Sequence, residues 1–108
     1  MKIVVSEILK SPIAAFHNEG LEVFSALEQA FKSHQLMEIS FEGINRCSTQ
    51  FLNASIGKMY LLFDPKQIDN LLKINFASLP HLAEKIEEVK ENAINSKEYD
   101  SLIENAIA

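Results

Sequence analysis

Arginine, cysteine and tryptophan are almost missing from this chain: among 108 residues there is one Arg (Arg46), one Cys (Cys47) and no Trp. A lone cysteine excludes an intramolecular disulfide and fits a reducing compartment. With one Arg and a net charge of −5, the chain lacks the clustered cations that displace counterions from phosphates, so nucleic acid is not expected as a partner. The glycines, at positions 20, 43 and 57, stand too far apart to cradle a phosphate. No apolar run approaches the ~18 residues needed to cross a bilayer. After Ile3-Val4-Val5 the start turns polar with Ser6-Glu7, too soon for the apolar core of a signal peptide. The expectation is a cytoplasmic protein with no membrane partner.

Metal and redox chemistry are equally short of material. His17, His34 and His81 show no pair spacing suited to a metal, and none has a signature spacing to Cys47. No cofactor, no metal and no catalytic set is therefore expected, and the chain is not read as an enzyme. What remains is a globular composition, 47% hydrophobic and 23% charged, in a length suited to one domain. The acidity is uneven. From Glu84 onward seven acids face three lysines, so −4 of the −5 lies in the C-terminal segment. There the carboxylates alternate with Lys85 and Lys90 around a helix, the usual form of a solvated face.

Along the chain, Ile3-Val4-Val5 predicts a short buried strand. Leu21, Phe24, Leu27, Ala30 and Phe31 recur at helical spacing between His17 and His34. Met37, Ile39 and Phe41 then alternate with Glu38, Ser40 and Glu42, the period of a strand with one face buried, closed by Gly43. Ser48 or Thr49 is placed to cap a second helix with the stripe Leu52, Ile56, Met59 and Phe63, ended by Asp64-Pro65. A short helical connection runs to Leu72, and Lys73–Ala77 predicts a strand with Ile74 and Phe76 on one side. Ser78-Leu79-Pro80 has the form of a helix start, the helix breaks near Asn95-Ser96, and Tyr99–Ile107 carries a last stripe. Strands separated by helix-length crossovers imply a single α/β domain over 1–108, a small and mainly parallel sheet packed with amphipathic helices.

Working residues of open α/β sheets gather beyond the carboxyl ends of their strands. Here that region is Gly43–Phe51, which holds the chain's Arg, its Cys and two adjacent hydroxyls. Ser48 and Thr49 sit at a helix start, where free amides and the helix dipole favour an anion or a phosphoryl group, or where the hydroxyls simply cap the helix. Cys47 reads as a buried structural thiol ahead of a low-pKa one.

The stretches Met37–Ile44, Ser48–Asn53 and Ile56-Gly57, with the strand Lys73–Ser78 and the helix from Leu79, together resemble the STAS-like domains of unknown function found in bacteria. The resemblance runs from about Phe16 to Ala93, with 96–108 as a C-terminal helix. Those domains are similar in turn to the STAS domains of anti-sigma-factor antagonists, in which a Ser or Thr at this helix start is phosphorylated by a partner kinase. On that resemblance Thr49 falls at the acceptor position, and Ser48 stands where antagonists carry an Asp. The resemblance implies a non-catalytic regulatory module that binds a protein partner, such as an ATPase-type kinase or signalling protein, through Arg46, Ser48, Thr49, Gln50 and Asn53. The alternative is a small anion-binding protein or enzyme using Arg46 and Cys47 at the same helix start. The oligomeric state stays open, since Tyr99–Ile107 can pack within the chain or on a neighbour.

Overall fold

A computed structural model describes residues 1–107, with side chains described through Lys97. Its centre is a parallel three-stranded sheet in the order β1–β3–β5, made of β1 (Lys2–Val4), β3 (Met37–Ser40) and β5 (Leu72–Asn75). The register lays three rows across it: Lys2–Glu38–Lys73, Ile3–Ile39–Ile74 and Val4–Ser40–Asn75. The first row alternates in charge, and Lys2 Nζ lies 3.9 Å from Glu38 on a solvent-accessible face. The second row turns inward, with Ile3 and Ile39 buried. A mainly parallel sheet with helical crossovers is therefore what the strand periodicity implied.

The crossover from β1 to β3 is α2 (His17–Lys32). Its start is held by Glu19, whose carboxylate accepts the Phe16 N–H at 3.1 Å. Its end is a Schellman motif, in which His34 takes a left-handed φ of 55°. There the Gln35 N–H reaches the Ala30 carbonyl at 3.0 Å and the His34 N–H reaches Phe31 at 3.0 Å. The face Val23, Phe24, Leu27, Ala30 and Phe31 is buried, as its spacing required.

The crossover from β3 to β5 is more irregular. α3 (Thr49–Leu52) passes without interruption into a π-helical turn over Asn53–Gly57 and then into α4 (Lys58–Leu62). The cause of the widened turn is local. Ser55 Oγ donates to the Phe51 carbonyl at 2.9 Å, a back-bond that competes with the helical ladder. Ala54, Ser55, Ile56 and Gly57 are all buried, because α2 and α6 close on this turn from two sides. A Cβ added to Gly20 of α2 would stand 2.5 Å from the Phe51 carbonyl oxygen and 2.6 Å from the Ala54 Cβ. A Cβ on Gly57 would stand 2.8 Å from a Val89 methyl of α6.

Asp64 caps α5 (Pro65–Leu71), accepting the Lys66 N–H at 3.1 Å. Phe63, outside the helix, still stacks on Phe31 with ring centroids 4.8 Å apart. α6 (Leu82–Ile107) closes the core with Leu82, Ile86 and Val89. Lys90 of α6 bonds both oxygens of Asp69 at 3.1 Å, and Tyr60 donates to the same carboxylate at 2.6 Å, which ties α4, α5 and α6 together. Burial first, then that carboxylate, raises the Tyr60 pKa well above the usual phenol range.

Several expectations need correction. Val5 belongs not to the first strand but to a helical turn, α1 (Val5–Leu9). Ser40 lies on the polar row yet is fully buried, because Asn75 Nδ2 and the Glu42 N–H both reach its hydroxyl, at 3.4 and 3.3 Å. The third strand ends at Asn75, leaving Phe76 exposed. The last helix starts at Leu82 rather than near Leu79, since Ala77 and His81 adopt left-handed φ of 54° and 61°. No break occurs at Asn95-Ser96, where the helix is continuous. Packing of the Tyr99–Ile107 stripe lies outside the described side chains. A second, two-stranded parallel sheet pairs β2 (Ile13–Ala14) with β4 (Arg46–Cys47); neither strand is expected from the sequence pattern.

Substituting Gly20→Ala is expected to destabilise the fold by about 1–3 kcal/mol, despite the ~1 kcal/mol gain in helix propensity, because the added methyl meets backbone. Gly57→Ala is expected to cost less, since the Val89 methyl can turn away. Urea unfolding of both variants checks the order.

Candidate functional site

The turn between β4 and α3 is built around Ser48. Its N–H donates to the Ala14 carbonyl at 2.9 Å, and its hydroxyl donates to the Ala15 carbonyl at 2.6 Å. The same hydroxyl accepts the Phe51 N–H at 3.0 Å, and its carbonyl accepts the Leu52 N–H at 3.2 Å. Ser48 is thus the N-cap of α3 and the rivet that fixes this helix to the end of β2. Phe51 and Leu52 are drawn into the core behind it, both fully buried.

The next candidates behave differently. Thr49, Gln50 and Asn53 are all exposed, and Asn53 stands about one helical turn from the other two. Thr49 occupies the first helical position, where the residue is exposed and the helix dipole favours negative charge. The two hydroxyls, which the sequence pattern left open as alternative caps, are therefore distinct: Ser48 holds the turn, and Thr49 is displayed by it.

Arg46, Cys47 and Ser48 line one groove, of about 510 Å³, whose other walls are Ile13, Ala14, Leu79, Pro80 and Leu82, with Lys85 and Asn45 at its edge. Asn53 instead lines a second groove of about 430 Å³ between α2, the π-turn and α6, shared with His17 and Asn92. The predicted set is thus split: Arg46, Ser48, Thr49 and Gln50 lie at the start of α3, whereas Asn53 lies just past its end and on the second groove. Cys47 is half-buried, and burial pushes its thiol up to about 12 against a smaller opposing pull from Lys85. Lys85 Nζ donates to the Cys47 carbonyl at 3.3 Å. The thiol is therefore protonated at neutral pH and is not an activated nucleophile. Among the described residues no cluster of His, Cys, Asp or Glu is placed to hold a metal, and no helix is long and apolar enough to cross a membrane.

Two participants escape the sequence reading. The Ala14 and Ala15 carbonyls come from the last residue of a strand too short to show a period and the residue just after it, and Lys85 belongs to the charge-patterned face of α6. The Ser11-Pro12 break before β2 is the one local signal, since the Pro12 carbonyl accepts the Asn45 N–H at 2.7 Å.

A parallel sheet whose central strand leads, through a serine-capped turn, into a helix of small buried residues defines the α/β class of this domain. A family model described as "STAS-like domain of unknown function (DUF4325)" matches residues 19–81, and the chain belongs to that family. The matched span runs from the first turn of α2 through the Ser48 turn, the π-turn and β5, and stops just before α6. No curated protein and no solved structure gives a significant match.

Replacing Ser48 with Ala removes a cap and an inter-element bond, and is expected to cost about 1–2 kcal/mol of stability, against at most ~0.5 kcal/mol for Thr49→Ala. Denaturant titration separates the two. The raised Cys47 pKa also has a pH signature. The folded state keeps its proton where the unfolded thiol, at about 9, has lost it. This contribution to stability is complete below the unfolded value and fades as pH rises from there toward the folded one. At pH 8, iodoacetamide is expected to alkylate the native thiol at least about tenfold more slowly than the urea-unfolded chain.

Proposed function

We propose that this domain is a non-catalytic regulatory module that docks a protein partner through the exposed start of α3, and that phosphorylation of Thr49 switches the docking. The observation that carries the reading is the division of labour at the turn. Ser48 spends its hydroxyl on the Ala15 carbonyl and the Phe51 amide, so a phosphoryl group there would break the turn that presents the surface. Thr49 is exposed beside it, and a phosphoryl group at a first helical position gains from the dipole instead of melting the helix. The switch then acts by placing about two negative charges in the docking surface while the fold stays intact. Gln50 and Asn53 supply polar contacts beside it, and Arg46 supplies a cation two residues before the cap. Membership of the STAS-like family supports an interaction role, and the distant similarity to anti-sigma-factor antagonists points to an ATPase-type kinase as the modifying partner. The protonated Cys47 supports a non-catalytic reading of the same turn.

Incubating the chain with ATP and an extract of its source organism is expected to place phosphate on Thr49, located by mass spectrometry, and Thr49→Ala is expected to lose it. Phosphate on Ser48 with Thr49 untouched contradicts the reading. With the partner in hand, Thr49→Glu is expected to weaken binding by about tenfold, the scale of one charge placed against a docked surface.

A further inference from the structure

The groove beside the turn shares Arg46 with the docking surface, but its apolar walls and Lys85 have a character that partner docking at α3 does not use. At about 510 Å³ it falls within the size range of small-molecule sites, roughly 300–1,000 Å³. Its walls are apolar, from Ile13, Ala14, Leu79, Pro80 and Leu82, and Ile13 is 43% exposed there. The edge carries two cations of a chain that is otherwise acidic. Lys85 Nζ, reaching across from α6, is fixed 3.3 Å from the Cys47 carbonyl of β4, and Arg46 is the residue next to Cys47, so the two cations come from different elements to one groove. Neither cation forms an ion pair among the described residues. The carbonyl occupies one ammonium proton of Lys85 and leaves two to donate.

Negative charge that would compete is absent from the described lining. The groove contains no Asp or Glu, and its thiol stays protonated at neutral pH. Glu19, beside the Ala15 end, is turned to the backbone amides of Ala15 and Phe16 at 3.4 and 3.1 Å. The Ser48 hydroxyl is committed as well. Recognition of an anion here falls to Arg46 and Lys85.

We propose that this groove binds a small amphipathic carboxylate, an alkyl or aryl acid whose apolar part lies on Ile13, Leu79 and Leu82 and whose carboxylate is held by Arg46 and Lys85. The pairing of a charge-assisted contact with an apolar wall explains both features at once: either alone would be an ordinary surface. The site goes beyond the phosphorylation reading and does not rest on it, because a chain that is never phosphorylated still binds the acid.

The test is a titration of the isotope-labelled full chain, followed by amide chemical shifts, with octanoate, 1-octanol and acetate as probes. Octanoate is expected to give saturable shifts at Ala14, Cys47 and Leu82, with 1-octanol and acetate each bound about tenfold or more weakly, the usual scale of one charge-assisted or apolar component. The double substitution Arg46→Gln with Lys85→Gln changes two exposed side chains and is expected to reduce octanoate to the level of 1-octanol. Equal affinity for octanoate and 1-octanol in the unaltered chain overturns the proposal without reference to any variant. So does unchanged octanoate binding in the double variant, absence of saturation at millimolar octanoate, or shifts centred on His17 and Asn53 instead.

Discussion

The close seating of the π-turn between α2 and α6 is the constraint on which the rest of this domain depends. Helices approach to within van der Waals distance of backbone only where side chains are absent or small. Gly20 meets the Phe51 carbonyl and Ala54 directly, and Gly57 receives Val89. Phe51 and Leu52 are thereby held at fixed depth in the core. Once they are fixed, the residues just before them have little freedom, and the Ser48 cap falls beside the end of β2. The bond from Ser48 to Ala15 then joins the smaller sheet to the helix. A packing event at the centre of the molecule thus sets the geometry of its surface turn.

The same constraint separates structural from displayed residues. Ser55, facing inward, spends its hydroxyl on the Phe51 carbonyl and widens the helix by doing so. Ser48 spends its own on the two elements it joins. Thr49, Gln50 and Asn53 remain on the outside of a helix start whose inner side is rigid. Rigid support beneath a few exposed polar groups is the arrangement expected of a docking surface, since little ordering is required on binding. The groove beside it shares that support through β4, but its cations and apolar walls answer to a different chemistry.

Much of the architecture was legible in the chain. The alternation of Met37, Ile39 and Phe41 and the stripe Leu21–Phe31 report burial on one face, and burial is what the packed sheet and α2 enforce. The cap at Ser48 was legible as one of two choices, because capping is local chemistry. Its distinction from Thr49 was not, since it depends on the Ala15 carbonyl, 33 residues away in sequence. β2 and β4 have two residues each, too few to show a period. Ser40 sat on the polar phase of its strand, yet Asn75 and Glu42 enclose it. The onset of α6 was misplaced because Leu79-Pro80 mimics a helix start while His81 turns left-handed before it. In each case a long-range partner or an unusual φ outweighed a local preference.

Native-state hydrogen exchange at the Ser48 and Phe51 amides tests the central claim most directly, because those two N–H groups close the bonds that make the turn part of the core. If the buried π-turn fixes the docking surface, both amides exchange only through global unfolding, with the same opening free energy as the amides of β3. Exchange at Ser48 and Phe51 a hundredfold or more faster than in β3, on the order of 3 kcal/mol less protection, would show that the turn opens on its own and contradict the account.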